Sequence, residues 1–227
     1  MANTFAPFGL AESHRLGAAP NYQMGGAKRY IASTNANPIY FGDPVIQLAT
    51  GYVAQATPSA SASQVSGIFA GCEYVSKAAK KIIWSPWWPG VTSDVVTAPA
   101  GSGNAGFDVQ AKIIDDPLVV FRVQMNGGAA GLTLPALSMI GMNATFSFGS
   151  SATPTGDAAH PPNQVSGIGN VALDLGVTSA PVVTALPFRI LDFIREPPGV
   201  NGTDLTTPYA WAFVTFNNQD FKVTTGI

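Results

Sequence analysis

The stretch FDVQAKIIDDPLVVFRVQM, Phe107 to Met125, carries the clearest periodic signal in the chain. Phe107, Val109, Ala111 and Ile113 alternate with Asp108, Gln110 and Lys112, which gathers the apolar groups on one face of a strand. Asp115, Asp116 and Pro117 then form a turn cluster, and an apolar run restarts at Leu118 as LVVFRVQM. The pattern predicts an antiparallel hairpin.

The same texture extends on both sides. IASTNANPIYFGDPVIQLATGYVAQA, Ile31 to Ala56, reads as three short strand-like pieces separated by Asn-Pro, Gly-Asp-Pro and Thr-Gly turns. In GCEYVSKAAKKIIWSPWWPG, Gly71 to Gly90, the SKAAKK segment tolerates a helical turn. Its β-branched and aromatic flanks favour two strands joined by a basic loop. Near the end, FRILDFI (188–194) and YAWAFVTFN (209–217) are strands expected to pair across the turn-rich REPPGVNGTDLTTP. Residues 1–27 offer Pro and Gly without a sustained period and read as an extended N-terminal arm, with Phe5, Phe8 and Leu10 as anchors. Residues 28–227 form one β domain, interrupted by a Gly/Pro-rich, loop-rich insertion at about 126–187. The expected fold is all-β: an antiparallel β-barrel or sandwich with an extended N-terminal arm. QVSGI occurs at Gln64–Ile68 and again at Gln164–Ile168, and a shared turn-to-strand conformation is the preferred reading of that repeat.

Composition narrows the function classes. Charged residues are 11% of the chain, against roughly 25% in soluble proteins generally, and net charge is -2. Apart from Lys77, Lys80 and Lys81 the basic residues are scattered, which argues against nucleic acid as a partner. No apolar run reaches the ~18 residues of a membrane span, and the first residues lack the pattern of a signal peptide, so synthesis in a cytoplasm is expected and no membrane partner is. A folded chain with this much neutral surface is expected to bury part of it against another protein.

The residue types that carry chemistry are sparse. Cys72 is the only cysteine, and His14 and His160 are the only histidines. A Cys–His pair would need one of those distant histidines, and Cys72 reads as a small core residue. Four clustered zinc ligands cannot be assembled from this set with adjacent spacing. Asp115 and Asp116 read as turn formers rather than paired acid and base. GSGNAG, 101–106, leads into a strand rather than into a helix N-terminus and reads as a loop. No catalytic, cofactor-binding or metal-ligating residue is assigned, no cofactor is expected, and the chain is not expected to be an enzyme. Trp84, Trp87 and Trp88 allow two readings, a core or interface cluster or a platform for sugar rings, and the first is preferred.

The strings NTFAPFGLAESHRLGAAP, PIYFGDPV, GIFAGCEYV with WSPWWPG, FRILDFI and AWAFVTFNN resemble structural proteins of tailed-bacteriophage virions, of the kind classed as head decoration or cement proteins. The resemblance covers the arm and both strand-rich parts but not residues 126–187. It implies a β-barrel or sandwich on the capsid exterior, bound to the major capsid protein and to itself as a trimer or dimer. Phe5, Phe8, Leu10 and Arg15 of the arm, with Trp84, Trp87 and Trp88, are the expected capsid or subunit contacts. The alternatives are a carbohydrate-recognising virion module using Trp84–Trp88, or another virion component such as a tail protein.

Overall fold

The Asp115–Asp116–Pro117 turn does not close a hairpin. In the computed structural model of the chain, which describes residues 2–17, 27–59, 64–92, 94–97, 109–127, 134–151, 157–175, 185–195, 197 and 199–222, the two halves of the opening stretch lie in different antiparallel sheets. The first sheet runs β1 (Ala11–Arg15), β8 (Val119–Gln124), β12 (Trp211–Phe216), β11 (Phe188–Phe193), β9 (Asn143–Phe148), β10 (Val171–Asp174). The second runs β2 (Ala27–Ile31), β7 (Val109–Ile114), β5 (Gly67–Ser76), β3 (Pro44–Gln47), β4 (Val53–Gln55), and β6 (Lys81–Ser85) pairs with β5. The sheets are not closed into a barrel, and the fold is a β-sandwich.

A hairpin and a crossover share the same local pattern, strand, turn, strand. Partners decide between them. The Ile113 and Ile114 pair is apolar on both sides because β7 is buried on both faces, against the first sheet through Ile114 and against a loop layer through Ile113. Two ion pairs, Arg15–Asp116 at 2.8 Å and Arg29–Asp115 at 3.3 Å, tie the crossover turn to the edge strands of the two sheets. Gln219, fully buried, donates from Nε2 to the carbonyls of Ser66 and Asp115 and staples the turn from the other side.

The main core fills the space between the sheets: Phe121, Val123, Phe146, Phe148, Phe188, Val214 and Phe216 from the first, Ile68 and Ile114 from the second. A second core lies on the far face of the second sheet, where Ile31, Phe69, Cys72, Val109 and Ala111 pack under Ile39, Trp88 and Val95. The expected β11–β12 and β5–β6 hairpins are both present.

β5 serves two partners along one edge. Its first residues pair with β3 (Ile68 opposite Pro44) and its last with β6 (Val75 opposite Ile82), while β7 lies along the other edge. A bulge separates the halves between Phe69 and Cys72, with Gly71 at φ 112°. The extra residue resets the alternation. Cys72 and Tyr74 thereby share the face of Phe69, in the second core, and Glu73 shares the face of Ile68.

Residues 126–187, expected as an insertion, contribute β9 and β10 to the first sheet and Phe146, Phe148, Val171 and Leu173 to the main core. The two QVSGI copies differ in conformation. Val65 is fully buried and leads into β5, whereas Val165 is 96% exposed in a turn held by the Asn163 side chain, which accepts from the N–H groups of Val165 and Ser166. Among the described residues no helix is long and apolar enough to cross a membrane.

Candidate functional site

The leader is bound to its own domain. Asn3 donates from Nδ2 to the carbonyls of Asp204 and Pro208 and accepts from the N–H of Gly202. Gln124, buried in β8, accepts from the Ala6 N–H and donates to the Thr4 and Tyr209 carbonyls. Phe5 packs between His160 and Tyr209, with ring centroids 4.7 and 5.0 Å away, and Phe8 meets Trp211 edge-on beneath the Arg122 guanidinium. Leu10 is buried in the main core, and Arg15 is paired with Asp116. Four residues expected to lie along a coat surface thus make intramolecular contacts. The chain passes Gly42 so closely at Gly9 that a Cβ on Gly42, which has φ 88°, would sit 2.9 Å from the Leu10 nitrogen. Only glycine suits that crossing.

Nor do the three tryptophans form a row. Trp88 is fully buried, bridged to Ile39 by N–H···O contacts of 2.7 and 3.0 Å, and its indole N–H donates to the Asn35 carbonyl. Trp87 stacks on Tyr40 with parallel rings 5.2 Å apart. Trp84 alone is exposed, at 56%, with its indole lying over Gly71, where an added Cβ would come within 3.2 Å of the ring. The sugar-platform reading loses two of its three rings to packing inside the fold.

What remains is a sheet face. Past the Gly71 bulge the side of the second sheet that carries Ile68 and Ile114 runs beyond the cover of the first sheet. The cross-strand register places Tyr30, Gln110, Glu73 and Trp84 in one row over β2, β7, β5 and β6. Ile82, opposite Val75, lies beside it. Tyr30 is 43% exposed and Ile82 67%. Lys112 pairs with Glu73 at 3.6 Å, and Lys77, Lys80 and Lys81 are exposed at the adjoining hairpin tip. That tip is shaped by Asp94, whose carboxylate accepts from the Ala78 N–H and the Ser76 hydroxyl and is held below its ordinary pKa by those bonds. The other side of the same strands is closed by the second core, so the face is rigid rather than a loose loop. Tyr30 and Ile82 were not singled out in the sequence. KIIWS has no period-two alternation, and only the register with β5 separates Ile83 on the packed face from Ile82 and Trp84 on the open one.

The groups with chemical potential sit elsewhere. Cys72 donates to the Trp87 carbonyl at 3.6 Å, and burial, with a smaller contribution from Glu73, pushes its thiol up to about 12. His14 lies against Ser13 and Phe213, and His160 donates from Nδ1 to Asp157 at 3.0 Å, so neither histidine partners the thiol. Burial opposes the charge on Asp157, but donors from Ser150, His160 and Ala159 outweigh it and hold the carboxyl below its usual range. Asp115 and Asp116 each face a different arginine. Among the described residues no three His, Cys, Asp or Glu side chains come together as a metal site. GSGNAG lies outside the described residues.

Among the described residues Asp43 is the one fully buried carboxyl with a strongly displaced equilibrium. Its Oδ2 accepts from the Tyr40 N–H and Gln55 Nε2, Oδ1 has no hydrogen-bond partner, and desolvation raises its pKa to about 7. A carboxyl with a raised pKa stabilises the fold most below its unfolded value near 4, and that contribution is lost as pH rises through 7. The displacement corresponds to at most about 4 kcal/mol. Urea unfolding between pH 5 and 8 is therefore expected to show falling stability in the wild type and a flatter profile in Asp43→Asn. Equal slopes would remove Asp43 from this role.

No protein-family model, no curated protein and no solved structure matches the chain.

Proposed function

We propose that this chain is a structural protein of a virion, which binds the outer surface of a tailed-phage capsid and fastens neighbouring coat subunits, with the uncovered end of the second sheet as its docking face. The observation that carries the reading is the row ending in Trp84, with Ile82 beside it: large apolar side chains held in water on a rigid sheet, in a chain otherwise poor in charge. Exposed aromatic groups on a preorganised surface bind with little loss of side-chain freedom, and tryptophan is among the residues that dominate interface energetics. The resemblance of NTFAPFGLAESHRLGAAP, PIYFGDPV and FRILDFI to virion proteins supplies the class of partner. The mechanism is mechanical. Many weak contacts repeated over a lattice sum to firm attachment, so no single contact needs high affinity.

The test is a binding assay on capsids stripped of this protein. Ile82→Ser with Trp84→Ser is expected to lower occupancy at least tenfold while thermal unfolding of the free protein stays nearly unchanged. Full occupancy by the double variant would contradict the assignment of this face, and failure of the wild type to bind would contradict the function.

A further inference from the structure

We infer that β6 is also the contact between two copies of this chain, which pair antiparallel along its open edge about a two-fold axis at Ile83. This deepens the reading above, since it names the self-interface of a protein proposed to act as an oligomer. Among the described residues β6 pairs only with β5, so its other edge presents free backbone N–H and C=O groups. An edge strand in that condition is a template for another strand.

The ends of β6 fix the register. Lys80 has φ 52°, outside the range of a regular ladder residue, and Pro86 has no N–H to donate. The pairing segment is therefore Lys81–Ser85, and two copies overlap fully only when Ile83 lies opposite Ile83 of the second copy. That register sets Ile82 of each copy against Trp84 of the other, an aliphatic–aromatic cross-strand pair formed twice. It sets Lys81 against Ser85, so like charges never oppose each other. The two Lys81 residues stand four positions apart along the ladder, about 13 Å, beyond the ~8 Å screening length at physiological salt.

Neighbouring registers are worse. A shift to Ile82 opposite Ile82 would draw Lys80, with its left-handed backbone, into the ladder, and a shift to Trp84 opposite Trp84 would draw in Pro86. The Ile83 register also joins the open faces of both copies into a single surface of four strands from each. Two short strands with their apolar pairs bury less than the ~1,200 Å² of a firm interface, so association is expected to be weak and concentration-dependent.

Sedimentation and cross-linking of the full chain at 10–500 µM, as orders of magnitude suited to weak interfaces, test the inference. The wild type is expected to reach dimer at the upper end. Ile82→Lys with Trp84→Lys is expected to be monomeric throughout, whereas Ile82→Glu with Trp84→Lys, which places opposite charges across the same register, retains the dimer. Ile83→Cys is expected to form a disulfide-linked dimer on mild oxidation, because directly opposed Cα atoms lie about 4.5–5.5 Å apart. Trp84→Cys should not. A monomeric wild type, a dimer indifferent to the lysine pair, a trimer, or cross-linking through position 84 would each overturn the inference. Capsid binding is scored separately, so a monomer that still decorates stripped capsids would sink this pairing and leave the proposed function standing.

Discussion

Trp88→Ala is expected to lower the unfolding free energy by about 3–5 kcal/mol, the range for deleting a large buried aromatic side chain. Trp88 closes the second core: it is fully buried, meets Tyr74 edge-on at 5.7 Å, and anchors the 35–41 and 86–91 loops through Asn35 and Ile39. Its loss would leave a cavity that these loops can fill only by giving up their bridge to one another. In a domain of this size each kcal/mol corresponds to about 2–4 °C, so the midpoint should drop by roughly 10 °C. Trp84→Ala, four residues earlier, should cost under about 1 kcal/mol, because its ring is mostly in water. Comparable losses at the two positions would mean that the buried and exposed rings have been wrongly assigned.

Removal of residues 2–16 is expected to prevent stable folding. The leader brings Leu10 to the main core, β1 to the edge of β8, and the Asn3 side chain to four backbone groups of the 202–208 loop. Leu10→Ala alone should cost about 2–5 kcal/mol. Adding an unpaired β8 edge and a buried Gln124 that keeps only its bond to the Tyr209 carbonyl exceeds what a domain stabilised by about 5–15 kcal/mol can lose without unfolding in part. Circular dichroism and dye binding would show a loosened or aggregating product. A truncated chain that melts cooperatively near the wild-type temperature would show that the leader is an appendage after all.

The physical reasons for what the sequence concealed are specific. Period two and the turn chemistry of Asp115–Pro117 led correctly to two strands, Val109–Ile114 and Val119–Gln124, but local pattern is silent about which sheet each strand joins. The leader looked like a free arm because Phe5, Phe8 and Leu10 lie among Pro and Gly with no period, and Tyr209 and Trp211, which meet the two phenylalanines, and Gln124, which holds the Thr4 and Ala6 backbone, are more than a hundred residues away. Trp84, Trp87 and Trp88 were visible as a cluster in the chain. Their separation in space follows from Ser85, whose hydroxyl donates to the Trp87 carbonyl as the strand ends, and from the strap that takes Trp88 under Ile39. The Gly71 bulge, which decides that Trp84 and Ile82 face water while Ile83 and Cys72 do not, leaves no periodic trace, because it breaks the period.

Backbone hydrogen exchange of this protein, free and bound to stripped capsids, separates a docking β6 from a docking leader. Strand faces and edges that become covered slow their exchange, while surfaces already packed in the free protein do not change. New protection is expected in β6 and the adjoining 77–81 tip, with residues 3–15 equally protected in both states. Protection that appears in the leader on binding, with β6 unchanged, would contradict docking through β6.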